Sequence, residues 1–261
     1  ISKAGDINIE QIQITTAQGF YQDITNQVIG LQIFEDIFSP FITGTLEIRE
    51  SLDLMNVFPF AGEEYLQLKL STPTLEVGNI DAKFYIYKMS NRTLIGDRSL
   101  IYTLHFISNE ALVDINKKIS KTFSGKCSDI AKTLLTDAKH GMQITRKVNV
   151  EETSNSTKYI SNFWSPIKNI NNVVETSINK DGASSYVFYE DRYGFNFVSL
   201  DSLYNKTTFQ HFVYDNYTRD LMQNSTQSTR NVTEDYKRIR EIKIPTSYDY
   251  IERARSGMYG S

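Results

Sequence analysis

The chain has 261 residues, of which 40% are hydrophobic and 23% charged, enough for one large or two ordinary domains. A net charge of −3 and the absence of a basic stripe exclude broad binding to a phosphate backbone, which needs clustered Lys and Arg. The lone Cys127 excludes an intrachain disulfide, is expected to be a small buried hydrophobe, and fits a reducing compartment. The 16 Tyr and 15 Phe favour pleated sheets, where flat rings pack well.

The first hundred residues alternate with period two, the pattern of strands with one buried face. "VIGLQIF" sets Ile29, Leu31 and Ile33 on one face, "TGTLEIRE" sets Gly44, Leu46 and Ile48, and "YLQLKL" sets Leu66, Leu68 and Leu70. In "INIEQIQI" the parity changes between Ile9 and Ile12, which predicts a β-bulge. "SLDLMNVFPFAGEE" reads as a helical turn ended by Pro59 and Gly62. "AKFYIYKM" and "LIYTLHFI" read as long strands with large residues on both faces, Phe84 and Ile86 against Tyr85 and Tyr87 in the first. Such strands sit between two layers or in a subunit contact. Six or more strands of this kind point to a small closed barrel or a sandwich.

After residue 108 the period changes. "SGKCSDIAKTLLTDAKHG" predicts an amphipathic helix with Cys127, Ile130, Ala131, Leu134, Leu135 and Ala138 on one stripe, capped by Ser124 or Ser128 and closed by Lys139, His140 and Gly141. "WSPIKNINNVVETSINKDG" predicts a second, with Ser165 as N-cap, Pro166 in the first turn, a stripe of Ile167, Ile170, Val174 and Ile178, and Gly182 at the end. Trp164 beside it is either a buried ring that locks the start of the helix or an exposed ring at a subunit contact. A hairpin follows, "SSYVFYE" and "GFNFVSL" joined by "DRYG", with positive φ expected at Gly194. Alternation puts Tyr186, Phe188 and Glu190 on one of its faces and Val187 and Tyr189 on the other. One aromatic face should pack on the Trp164 helix, with Glu190 to Tyr193 projecting to solvent or a partner. "TTFQHFVYD" and "RIREIKIP" read as strands, residues 215 to 235 as irregular, and "SYDYIERARSGMYGS" as the start of a helix or turn. The ending on "SGMYGS" leads us to expect a longer chain.

No constellation of catalytic or metal-binding residues stands out. Glu190 and Asp191 are adjacent, so on a strand they point to opposite faces and cannot form the facing acid pair of a glycosidase. Asp191 and Arg192 are ordinary turn residues. His105, His140 and His211 are scattered, with no zinc, calcium, phosphate-loop, dinucleotide or nucleophile-elbow spacing, so no metal or cofactor is expected. No signal-peptide pattern and no apolar run near 18 residues is present, which predicts a soluble protein without membrane insertion. The Asn-x-Ser/Thr triplets at Asn91, Asn155, Asn205 and Asn224 read as composition, not as glycan sites.

The order of segments, "FSGKCSDIAKTLL", "NFWSPIKNINNVVETSINKDG" and "SSYVFYEDRYGFNFVSLDSLY" behind alternating strands from Asn8 to Ile107, resembles the baseplate hub protein of contractile phage tails, related to the N-terminal part of type VI secretion spike proteins. The resemblance implies an α+β, mainly β chain. Its plan would be a tail-tube-like antiparallel β-barrel over 1–112, an α+β lobe of two helices and a hairpin over 113–205, and the start of an incomplete second barrel over 206–261. It implies a structural subunit, not an enzyme, forming a homotrimeric ring that matches a sixfold tail tube to a threefold spike. Its partners would be a central spike protein, tail tube or tube-initiator proteins, and baseplate wedge proteins, in a virion assembled in host cytoplasm. Interface candidates on this reading are Tyr85, Tyr87, Tyr102, Trp164, Tyr189 and Tyr193. The competing expectations are a baseplate-associated glycan or peptidoglycan hydrolase and a carbohydrate-binding adhesin.

Overall fold

A computed structural model describes residues 7–51, 62–72, 79–95, 99–208, 210–214 and 238–239. The helical turn expected in "SLDLMNVFPFAGEE" falls almost wholly outside the described residues. So do residues 215 to 235 and "SYDYIERARSGMYGS", and only Val213–Tyr214 and Arg238–Ile239 represent the last two expected strands.

Seven antiparallel strands form one sheet: β1 (Asn8–Thr15), β2 (Tyr21–Asp23), β3 (Val28–Phe34), β4 (Thr43–Glu50), β5 (Tyr65–Ser71), β6 (Ile80–Ile95) and β7 (Ser99–Ser108). Their order is β2-β1-β5-β6-β7-β4-β3. Side chains of alternate residues fall on one concave face, so Ile12, Ile14, Leu46, Ile48, Leu66, Leu68, Phe84, Tyr102, Leu104 and Phe106 share one core. Among the described residues β2 and β3 end the order without pairing to each other, so the sheet is a curled half-barrel where closure was expected.

Bulges decide which residues face out. The register of β1 against β5 slips between Ile9 and Gln11, as the parity change in the sequence requires. Another slip between Val28 and Gly30 makes Ile29 the extra residue of β3, so Ile29 is 53% exposed while Leu31 and Ile33 pack inward. The expectation of a shared face for Ile29, Leu31 and Ile33 is corrected by that bulge. At Gly44 a Cβ would lie 2.2 Å from the Phe106 ring and 2.4 Å from the Gln32 carbonyl oxygen. Only glycine lets β3 and the Phe106 ring approach β4 so closely.

The second part of the chain carries α1 (Glu110–Asn116), β8 (Ile119–Lys126), α2 (Cys127–Thr136), β9 (Lys147–Val150), β10 (Ser156–Trp164), α3 (Pro166–Thr176), β11 (Tyr186–Asp191), β12 (Gly194–Ser199) and α4 (Leu200–Tyr204). β8 and β10 pair as a ribbon, and β9 runs parallel to β12 beside the β11–β12 hairpin. Cys127, Ile130, Leu134 and Leu135 of α2 and Ile167, Ile170 and Val173 of α3 pack against Tyr186, Phe188, Phe195 and Phe197 of the hairpin. Phe41, just before β4, joins this core edge-to-face with Phe195 at 6.5 Å.

Several local expectations shift. The residues before Cys127 extend as β8, so Ser124 caps nothing, and the Ser128 N–H donates to Thr153 Oγ1 at 3.1 Å instead of Ser128 acting as cap. α2 stops at Thr136, leaving Ala138 to His140 in a turn where Asp137 Oδ2 accepts the His140 N–H. α3 begins as read, with Ser165 Oγ accepting the Lys168 N–H at 3.3 Å and Pro166 in the first turn. It ends at Thr176, so Ile178 and Gly182 lie past it, and Val173 supplies the buried contact with Val174 only half-buried.

Candidate functional site

The sheet and the second part of the chain meet at a buried carboxylate. Glu190 lies opposite Phe195 on the hairpin and is 2% exposed. Its Oε2 accepts the Ile42 N–H at 2.9 Å, and its Oε1 accepts a hydrogen bond from the Arg146 guanidinium. Ser108, at the end of β7, also hydrogen-bonds Glu190, and its hydroxyl lies 3.3 Å from the Ile42 carbonyl oxygen. Arg146 Nε donates to Glu110 Oε1 at 3.1 Å, and the guanidinium sits 5.0 Å from the centre of the Phe195 ring. One guanidinium therefore joins α1 to the hairpin, and one carboxylate joins the hairpin to β4 and β7.

The electrostatics follow from burial. Loss of water raises the pKa of Glu190 above the usual carboxylate range, and the hydrogen bonds from Ser108, Arg146 and Ile42 pull back without overcoming it. Burial works against the charge of Arg146, but the hydrogen bond and charge of Glu190, with Glu110 behind, outweigh it and raise that pKa. A cavity of about 430 Å³ opens beside this cluster, lined by Glu35, Lys83, Ser108, Arg146, Glu190 and Tyr193 among others.

The expectation that Glu190 projects to solvent or a partner is corrected. Glu190 shares the inward face with Tyr186 and Phe188, and that parity extends to the next-to-last pair of the hairpin, Glu190 with Phe195. Asp191 does what a turn acid does: Oδ1 accepts the N–H groups of Tyr193 and Gly194 at 2.8 and 2.9 Å, and Oδ2 accepts from Asn196 at 3.0 Å. Gly194 has φ 150°, and a Cβ there would lie 2.0 Å from the Lys147 carbonyl oxygen of β9. Four carboxylates line this cavity, Glu35, Asp81, Glu110 and Glu190, and the last two both bind Arg146. A glycosidase needs its acids to face each other across room for substrate or water, and between Glu110 and Glu190 that room is taken by a guanidinium.

The aromatic interface candidates separate by exposure. Tyr87 is the extra residue of a bulge in β6, 53% exposed, with its ring 6.1 Å from His105. Tyr193 is 58% exposed at the hairpin tip. Tyr85 is half-buried, edge-to-face with Tyr65, and its hydroxyl donates to the Gly62 carbonyl oxygen. Trp164 is half-buried at the end of β10, stacked on Tyr159 at 6.2 Å, with Lys168 Nζ 5.0 Å from its ring centre. Tyr102 is corrected as an interface candidate, because it is 0% exposed in the sheet core, where burial and the buried Glu50 raise its pKa. Tyr189 is buried with Val187 and Val198 on the second face of the hairpin.

Arg146 and Glu110 had no signal in the sequence, being single charges outside any motif. Glu190 had one, its parity with Tyr186 and Phe188. Among the described residues no group of three or more His, Cys, Asp or Glu is placed to hold a metal ion, and no helix is long and apolar enough to cross a membrane.

No family model and no curated protein matches the chain. Among solved structures it is similar to the 43 kDa tail protein of prophage MuSo2 from Shewanella oneidensis, at 10% identity over 78% of this chain and 57% of that one, with a TM-score of 0.49. It is similar to a tail protein from Neisseria meningitidis MC58 at 10% identity over 72% of this chain and 49% of that one, TM-score 0.45. A chain of a Francisella PdpA–VgrG complex matches at 13% identity over 78% of this chain and 30% of that one, TM-score 0.42. The chain thus spans between 30% and 57% of the length of these three solved chains.

Proposed function

We propose that the chain is a structural subunit of a contractile tail baseplate, a hub whose three copies form a ring between a sixfold tail tube and a threefold spike. The observation that carries this reading is the open half-barrel. β3 ends the sheet with seven residues whose outer backbone groups have no strand partner among the described residues. Such an edge is normally blunted or covered, and a second copy covers it by adding a strand. The domain plan of 1–112, 113–205 and 206–261 belongs to the same reading. So does a role for the exposed rings of Tyr87 and Tyr193 in contacts with neighbours. Spike, tube and wedge proteins are its partners on this account, and the virion baseplate is its location.

The Glu190–Arg146 cluster fits an assembly protein because it fixes the angle between half-barrel and lobe, so that strain at one reaches the other. The hydrolase alternative would use these same acids. A peptidoglycan zymogram should show no clearing, and clearing that Glu190→Gln abolishes would favour the enzyme over the ring. Co-purification with a spike protein bearing the only affinity tag tests the structural reading, and a spike that never retains this chain would count against it.

A further inference from the structure

The ribbon of β8 and β10 has an outer face whose sequence and backbone point to a partner. Lys117, Lys118, Lys121 and Lys126 fall between residues 115 and 126 with no acid, and Lys158 and Lys168 fall between 153 and 174 with none. Lys126 is paired with Glu152, Lys121 lies opposite the buried Ser161, and Lys168 lies over the Trp164 ring, so Lys118 and Lys158 are the cations this face offers. This local excess sits in a chain of net charge −3. Pairing of Thr122 with Ile160 and of Ser124 with Lys158 sets Ile160 and Lys158 on the same outer face. Ile160 is 70% exposed.

Beside them, the register slips between Asn162 and Trp164, and Phe163 holds φ 58°. A left-handed conformation at a phenylalanine is uncommon and costs free energy. Simple alternation would send Phe163 inward with Ser161. The bulge instead leaves its ring 69% exposed.

A surface of matching chemistry exists on the same molecule. The loop after β3 reads "FEDIF", with Phe34, Ile37 and Phe38 exposed around Glu35 and Asp36. Asp36 Oδ1 accepts the Phe38 N–H at 2.9 Å, which fixes the turn that presents these rings. Neither acid is in a salt bridge among the described residues, and neither are Lys118 and Lys158. The loop leaves the sheet at its β3 edge, whereas Lys117, at the start of the ribbon, lines a hollow with Tyr65 of β5, with three strands between β5 and β3 in the sheet order.

We infer that the basic, apolar outer face of the β8–β10 ribbon docks on the acidic, apolar loop 34–38 of a second copy of this chain. Two different surfaces meeting head to tail generate a closed ring when the rotation closes. This deepens the ring proposed above and rests on it, adding a second contact beside the open β3 edge.

The test is the mass of the full 261-residue chain across a concentration series. Lys118→Glu with Lys158→Glu should weaken self-association at least tenfold, and so should Glu35→Lys with Asp36→Lys. All four changes in one chain should restore assembly. Phe163→Asn, which tolerates left-handed φ, should weaken assembly similarly while the unfolding temperature holds or rises, a result that a purely structural role for the ring would not give. Wild-type rings that persist in both charge-reversed pairs would overturn this contact while leaving the ring intact. Loss of binding to some other protein with self-association unchanged would overturn it equally. A wild-type chain that stays monomeric at every concentration would instead sink the ring reading itself.

Discussion

Strands β1–β7 bury Ile, Leu and Phe along one face and leave strand edges open among the described residues, whereas the part from α1 to α4 covers its sheet with two helices and knits its loops with side-chain hydrogen bonds. There, Asn179 donates to Asp201, Ser199 Oγ donates to Glu151, and Asn155 donates to the Thr176 carbonyl oxygen. The half-barrel relies on apolar area, which is non-directional, and its geometry stays available to a neighbour. The lobe has an apolar core of its own and adds directional polar contacts that specify one arrangement. The Glu190–Arg146 cluster lies on the border and belongs to both.

The largest effects should come from emptying either core. Phe106→Ala in the sheet and Phe195→Ala in the lobe should each cost about 3–5 kcal/mol, read from urea unfolding midpoints. Hydrogen exchange would separate them: Phe106→Ala should loosen the sheet first, while Phe195→Ala, through Phe41, should loosen both parts. Equal loosening everywhere in both variants would erase the contrast between the regions. Next comes Arg146→Ala, which strands a carboxylate that is 2% exposed. Removing one partner of a buried pair costs about 3–5 kcal/mol, and the lower end applies because Arg146 keeps 37% of its side chain in water. Unfolding should then split into two transitions, and a single transition would mean that other contacts hold the border.

Gly194→Ala should cost about 1–3 kcal/mol by forcing β9 away from the hairpin. Amide exchange in Lys147–Val150 should rise, and unchanged protection there would show that the strands yield without cost. The smallest effect is one of pH. The folded pKa of Glu190 is raised from 4.5 by burial, so the folded state takes up this proton before the unfolded chain does. That stability is complete below the unfolded value and is lost as pH rises through the folded one. Glu190→Gln cannot titrate, so the wild type should lose stability relative to it as pH rises from the unfolded value of 4.5 through the raised folded one. Asp114, raised by burial as well, is present in both chains and cancels. A gap that does not change with pH would mean that Glu190 takes up its proton at the same pH folded and unfolded.

The sheet was legible because a half-buried strand writes its burial into every second residue, as in "TGTLEIRE" and "YLQLKL". The bulge in β1 was legible for the same reason, from the broken parity at Ile9. The bulge at Ile29 was hidden because Ile29, Leu31 and Ile33 alternate perfectly and only the pairing with β4 reveals the extra residue. β8 was missed because "ISKTFSGK" has apolar residues only at Ile119 and Phe123, and the neighbouring helix pattern absorbed it. Ser165 and Pro166 fixed the start of α3 through local chemistry alone. Glu190 shows the opposite case. Its inward parity was visible, but the turn beside it invited grouping with Asp191, and the partners that make burial tolerable, Arg146, Ser108 and Ile42, come from distant segments.

The central claim is that an open half-barrel, held at a fixed angle to its lobe, closes by meeting copies of itself. Two-dimensional class averages of particles assembled from the purified chain with spike and tube proteins test it most directly. Threefold averages with a central channel are the predicted result. Single compact particles of one chain, unchanged at high concentration with both partners present, would contradict it.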